Sequence, residues 1–258
     1  LFEKDFKTAL DGWYAGENNP DFPSGSMLDA IKDLDATYGL SKTKWTAKVE
    51  GEANTRRPLD FRGKIRLINT KGKGFDVGPS VTDITITKES GEQIFLSLKI
   101  EKTTTFFNVG IKTKFLKSEI DEGEIKNADA KKLLDLFGID NKRFCTVYNP
   151  DVKTQSGIVK VRPNLSALKI LLGSGIGYGY HVIHKMGGSI DSYKMDRARM
   201  KESATVTDAT VYYGGKGGRG KRVDIEMSSP HYKFKLNIRD SRGKDGYPDR
   251  MMCDFTKL

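Results

Sequence analysis

Cysteine is nearly absent: Cys145 and Cys253 are the only two in 258 residues. That is too few for a disulfide framework, and the reducing interior of a cell is the compartment such usage fits. Histidine is as sparse. His181, His184 and His231 include an H-V-I-H run with no second cysteine or histidine pair beside it, so no zinc site is assigned. No apolar run reaches the length of a membrane span, the richest being Leu165 to Leu172, and no secretory h-region is present. The chain starts at Leu1 rather than Met, which leaves open an initial segment missing or removed. The G-x-x-x-x-G-K-[ST] spacing of a P-loop is missing, and no internal repeat is found. What is plentiful is positive charge, 44 Lys plus Arg against 34 Asp plus Glu, a formal +10. Such an excess draws in polyanions by counterion release and long-range attraction, although a merely basic soluble protein has the same totals. The length and 37% hydrophobic content suit one elaborated α/β or α+β domain or two small ones.

The most informative stretch is Thr82 to Lys99. Ile84 and Ile86, then Ile94, Leu96, Leu98 and Ile100, alternate with polar residues on either side of a turn, the period-2 signature of a β-hairpin. Matching Ile84 to Leu98 makes Ser90, Gly91 and Glu92 the loop, with Gly91 free to take the left-handed region. This register sets Asp83 opposite Lys99, with Thr85, Ser97 and Glu101 on the same face. An aspartate with a second carboxylate can hold Mg²⁺, a hard ion that prefers oxygen ligands. A lysine beside it can orient metal-bound water and stabilise charge growing on phosphorus oxygens. A solvated hairpin face is the alternative reading of the same residues.

Around the hairpin lie a helical or extended segment from Trp45 to Ala53, a strand at Lys64 to Asn69, a helix from Asn127 to Phe137 capped by Asn127 and ended by Gly138, and a strand at Arg143 to Tyr148. With the residues of the hairpin, this order resembles the core of the PD-(D/E)xK nuclease superfamily over residues 45 to 150. The resemblance implies a restriction-endonuclease-like central mixed sheet flanked by helices, an α/β (α+β) fold, and Mg²⁺-dependent hydrolysis of DNA. It makes Asp83, after a loosely matching Pro79, the metal-binding aspartate and Lys99 the catalytic lysine. The chain departs from the pattern at Ser97, where the family has Asp or Glu; an S-x-K form also occurs among restriction-type sequences. Glu101, Gln93, and Glu50 or Glu52 in V-E-G-E are the candidates to complete the site, and Arg56 and Arg57 could meet a phosphate. The alternative is a DNA-end or virion-associated binding protein on the same fold without catalysis. DNA is the expected partner, with homodimerisation left open and no membrane; the expected location is cytoplasmic, or a host interior or virion for a phage protein.

The remaining segments organise as 1–44, an N-terminal helical part (Asp5 to Tyr14 and Met27 to Tyr38) covering the sheet; 45–150, the core; and 151–258, a β-rich basic extension packed on it. In the extension, Thr205 to Tyr213 and Lys221 to Met227 read as strands around G-G-K-G-G-R-G, which offers Lys216, Arg219, Lys221 and Arg222 to a phosphate chain. His231 to Arg239 alternates strictly and reads as an outer strand; Arg239, Arg242, Lys244 and Arg250 are further contact candidates. Pro163 to Leu172 reads as a helix closed by Gly173, and Met195 to Lys201 as a short basic helix. The glycine-rich joint from Gly173 to Tyr180 suits close packing of layers, or base stacking through Tyr178 and Tyr180, with packing preferred.

Overall fold

The computed structural model describes residues 2–51, 57–149, 157–161, 163–217, 220–240 and 245–258. In chain order its elements begin with α1 (Phe2–Ala15), α2 (Gly25–Tyr38), β1 (Trp45–Val49), β2 (Leu59–Asp60), β3 (Arg66–Leu67), α3 (Gly78–Val81), β4 (Ile84–Lys88), β5 (Gln93–Ile100) and β6 (Thr103–Gly110). Then come α4 (Lys117–Asp121), α5 (Ala128–Phe137), α6 (Asn141–Tyr148), β7 (Gly157–Val161), α7 (Leu165–Ile176), β8 (Tyr180–Met186), β9 (Ser189–Met195) and α8 (Arg197–Ser203). The last are β10 (Ala209–Tyr213), β11 (Arg222–Ser228), β12 (Tyr232–Arg239) and β13 (Arg250–Lys257). The protein is mixed α+β, and no described helix is long and apolar enough to cross a membrane.

Contacts divide the chain into two units woven from alternating segments, the first from Leu1–Thr55, Asn69–Thr104 and Gly177–Arg199, the second from the rest. The expected divisions at 44/45 and 150/151 do not coincide with them. A cut in sequence cannot locate units whose strands come from both ends of the chain.

The first unit holds a five-stranded sheet in the order β1-β4-β5-β8-β9. β1, β4 and β5 form an antiparallel meander, β8 joins β5 in parallel, and β9 returns antiparallel. A parallel partner needs a long crossover, and here it takes in the Thr105–Ile176 segment of the second unit and ends with α7. On one sheet face Phe6, Leu10, Ile31, Leu34, Ile84, Ile86 and Leu96 are fully buried, joining α1 and α2 to the strands. Each such side chain contributes about 2 kcal/mol when removed from water. The expected helices therefore cover the sheet as read.

The hairpin register differs from expectation by two residues: Ile84 pairs with Leu96 and Thr87 with Gln93, not Ile84 with Leu98. Gly91 has φ +85, and its N–H donates to the Lys88 carbonyl at 2.8 Å. It is the last loop residue after Glu89 and Ser90, where a three-residue hairpin loop places its left-handed position. A slip of two keeps every side chain on its face but moves Asp83 away from direct pairing with Lys99.

Other expectations change too. Arg143 to Tyr148 lies within helix α6, whose Asp140 side chain caps Arg143 N–H at 2.7 Å. The strand parallel to β5 is instead β8. Lys64 to Asn69 contributes only Arg66 and Leu67 to strand pairing, in a two-stranded sheet with β2 in the second unit, so β1 fills its expected place in the meander. α5 forms as read: Asn127 Oδ1 accepts from Asp129 and Ala130 N–H, and Gly138 closes it at φ +69. α7 runs through Gly173 to Ile176 rather than stopping at Gly173.

The second unit carries a six-stranded sheet, β6-β13-β12-β11-β10-β7. β12 is central, not outer, bonded to β11 and β13. Tyr232, Phe234, Leu236 and Ile238 point into the core, fully buried, and the alternate residues form the polar face. Cys145 and Cys253 are free and buried.

Candidate active site

The second face of the five-stranded sheet carries the polar residues. The registers align Thr85 with Lys48 and Phe95, Ser97 with Val182 and Tyr193, and Lys99 with His184 and Asp191. Asp83 precedes β4, and its backbone N–H donates to Leu96 O at 2.8 Å. Its half-buried carboxylate accepts the Leu98 N–H at 2.7 Å, standing in for a strand carbonyl just before β4 begins, where β5 runs on past it. Burial pushes this carboxyl above the usual range, against the charge of Lys99 and the Leu98 hydrogen bond, which pull it down; the charge of Glu3 adds to the rise. Asp83 and Lys99 are thus close enough to feel each other, though not directly paired.

Glu50 follows β1, and its N–H donates to the Asp83 carbonyl at 2.9 Å. Hydrogen bonds from the Thr85 hydroxyl and then from Lys48, at 3.0 Å, hold its carboxyl below the usual range. Glu50 lines a cleft of about 200 Å³ together with Lys71, Ser80, Thr85, Gln93 and Phe95. Neither Asp83 nor Lys99 lines that cleft. Ser97 is buried, at 1% exposure. Gln93 is exposed near the turn. Among the described residues no group of three or more His, Cys, Asp or Glu is arranged to hold a metal ion.

Glu101 departs from its expected role as a same-face neighbour of Lys99. β5 ends at Ile100, and Glu101 has φ +72, the only positive φ outside glycine among the described residues. Alternation therefore does not extend to its exposed side chain. The turn is pinned on both sides: Glu101 N–H donates to Lys185 O at 2.9 Å, and the buried His184 donates from Nε2 to Glu101 O at 2.6 Å. A carbonyl can only accept, so Nε2 carries the proton. Glu101→Gly is expected to stabilise the protein by about 1 kcal/mol, because the left-handed cost for a residue with Cβ exceeds the added chain entropy of glycine. Urea unfolding checks it; a lower midpoint would mean that the Glu101 side chain contributes more than its strained backbone costs.

Sequence reading missed His184 and Asp191, the cross-strand neighbours of Lys99. Their signal lay in H-V-I-H itself: in a strand, a spacing of three sends the two histidines to opposite faces, so they share no metal but each serves its own surface.

The expected phosphate contacts divide. Glu52, Arg56, Arg219, Arg242 and Lys244 lie outside the described residues. Arg57 is buried, not open to phosphate: Nη1 and Nη2 donate to the Ser174 and Gly175 carbonyls at 3.0 and 2.7 Å. These carbonyls, in the last turn of α7, lack helical donors and carry the negative end of the helix dipole, so a guanidinium suits them. Lys216 pairs with Glu226 at 3.3 Å, Lys221 is exposed, and Arg222 pairs with Asp224 at 2.8 Å. In the glycine joint, a Cβ at Gly177 would meet Val77 at 2.2 Å and one at Gly179 would meet Asp76 at 2.4 Å, which is close packing. Tyr180 is buried, and the Arg197 guanidinium lies 4.9 Å over the Tyr178 ring.

Comparison with protein-family models, curated proteins and solved structures finds no match to this chain.

Proposed function

We propose that the protein is a Mg²⁺-dependent DNA endonuclease built on a restriction-endonuclease-like core in its first unit. The observation that carries this reading is an acid at the entry to β4 and a lysine on β5, on one sheet face, with the acid's charge state answering to the lysine. The order of elements supports it: helices, the meander β1-β4-β5, then a helix and a strand parallel to β5.

The donor set suits a hard cation, since it offers the Glu50 and Asp83 carboxylates with the Thr85 hydroxyl nearby and no soft ligand. Glu50, held ionised, and Asp83 are the residues that would hold Mg²⁺. The ion would neutralise the phosphodiester and acidify a bound water. Lys99 holds a fixed positive charge beside Asp83, favouring its ionised form and opposing negative charge developing on the substrate.

A second reading, a DNA-binding protein without catalysis, is favoured by Ser97 in place of the family's acid and by the Asp83 carboxylate already engaged with Leu98 N–H. Incubation of supercoiled plasmid with Mg²⁺ or with EDTA separates the two. The endonuclease reading expects nicking or linearisation with Mg²⁺ that EDTA and Asp83→Asn both prevent. Equal cutting by Asp83→Asn overturns the site assignment; salt-sensitive binding with no cutting selects the second reading.

A further inference from the structure

On the polar face of the six-stranded sheet, Arg222 of β11 lies directly opposite Arg239 of β12, and Arg239 directly opposite Arg250 of β13. Three guanidinium side chains therefore stand in one row across adjacent strands, about 10 Å from end to end at two strand spacings. Like charges placed opposite each other destabilise a sheet unless something neutralises them.

The acids on this face are largely committed to partners other than Arg239 and Arg250. Asp224, fully buried, takes Arg222 at 2.8 Å and also Lys235 at 3.6 Å. Glu226 takes Lys216 at 3.3 Å and the Tyr212 hydroxyl at 3.1 Å. Asp254 accepts from the neutral donors Thr105 at 2.6 Å and Asn237 at 3.3 Å.

Among the described residues, Arg239 and Arg250 are left with weak partners. Arg239 Nη2 donates to the Met252 thioether at 3.4 Å, and its buried Nε has no hydrogen-bond partner among the described residues. Arg250 reaches the same sulfur at 3.9 Å, the Asp240 carbonyl at 3.4 Å and Asp249 Oδ1 only at 4.0 Å. A thioether is a weak acceptor, so two guanidinium forks remain under-satisfied. Gly215 lies against Arg222, where an added Cβ would come within 2.8 Å of its Nε, so the glycine loop leaves this arginine room.

We propose that Arg222, Arg239 and Arg250 form a phosphate-binding row for a nucleic-acid backbone. Guanidinium pairs with phosphate in two parallel hydrogen bonds, and a backbone presents such groups repeatedly. Contacts of this kind position a nucleic acid without reading its bases. The row shares only its partner with the proposed function; it needs neither Mg²⁺ nor cleavage.

The test is the anisotropy of a fluorescein-labelled DNA duplex in EDTA over a salt series. Arg239→Gln with Arg250→Gln is expected to weaken binding about tenfold or more and to lower the slope of log Kd against log salt by about 2, one for each lost phosphate contact. Lys131→Gln with Lys142→Gln removes the same charge from exposed positions on α5 and α6 and should change little by comparison. Arg239→Lys with Arg250→Lys guards against misfolding: it keeps the charge and the salt slope but loses the fork, so affinity should fall several-fold. Equal losses in the arginine and lysine glutamine pairs, or no loss in either arginine pair, overturn the row while leaving the endonuclease reading standing. Absence of duplex binding by the wild type overturns both, and competition by poly-glutamate equal to that by unlabelled DNA overturns the assignment to phosphate.

Discussion

Under the proposed endonuclease reading, Lys99→Met is expected to lower Mg²⁺-dependent DNA cleavage by about 10²- to 10³-fold, the usual loss when one preorganised stabilising group is removed from a reacting centre. Two effects combine. The variant lacks the cation beside the substrate, and it also removes the charge that offsets the burial of Asp83, so that carboxyl moves further above the usual range. A metal-binding acid must be ionised, so the fall in activity on acidification should begin at a higher pH in the variant than in the wild type. Lys99→Arg keeps a positive charge on the same β5 face and should hold the acid limb near its wild-type position even where its rate is reduced. Duplex affinity should fall by no more than about threefold in each, the loss of one phosphate contact at most. A cleavage rate and pH profile unchanged in Lys99→Met would remove Lys99 from the reaction.

The face of each residue in the hairpin was legible because alternation survives any slip by two. Its register was not, because a glycine at 91 serves equally well in the middle or at the end of a three-residue loop until the backbone shows which position is left-handed. Likewise α5 could be read from Asn127 and Gly138, whose side chain and backbone act within a few residues. α6 was misread because R-F-C-T-V-Y is rich in aromatic and β-branched residues. Its buried positions Phe144, Cys145, Val147 and Tyr148 follow helical spacing, which short segments conceal. β8 escaped for the opposite reason: Tyr180 through His184 are buried on both faces, so an inner parallel strand shows no alternation. The burial of Arg57 and the row beside Lys99 depend on segments more than 80 residues apart, and no local pattern encodes them.

Between pH 7 and pH 4 the protein should lose about 3 kcal/mol of stability through His181 alone. The ring is 1% exposed; it donates from Nε2 to Ser192 Oγ at 2.7 Å, and that hydroxyl donates to Asp33 Oδ2 at 2.7 Å. Burial pushes the imidazole down to about 4; the nearby Asp33 pulls it up, while Lys194 of β9 pushes it down. Tyr38, which packs edge-on against the ring, stays neutral throughout this range because burial pushes it up to about 12. An unfolded histidine titrates near 6.5, so between there and about 4 the unfolded chain binds the extra proton and the folded one does not. Stability from this group is therefore complete above pH 6.5 and declines as the pH falls through the window, at about 1.4 kcal/mol for each unit. Asp83, with its raised carboxyl, acts in the opposite direction on the acid side, and other carboxylates add their own slopes, so the comparison has to be internal. Urea unfolding of wild type and His181→Gln at pH 7 and pH 4 isolates the term: the variant is less stable at neutral pH but should lose about 3 kcal/mol less on acidification. Parallel losses in the two proteins would mean that the buried ring takes its proton without resistance, through an opening of the α2 face that exposes it.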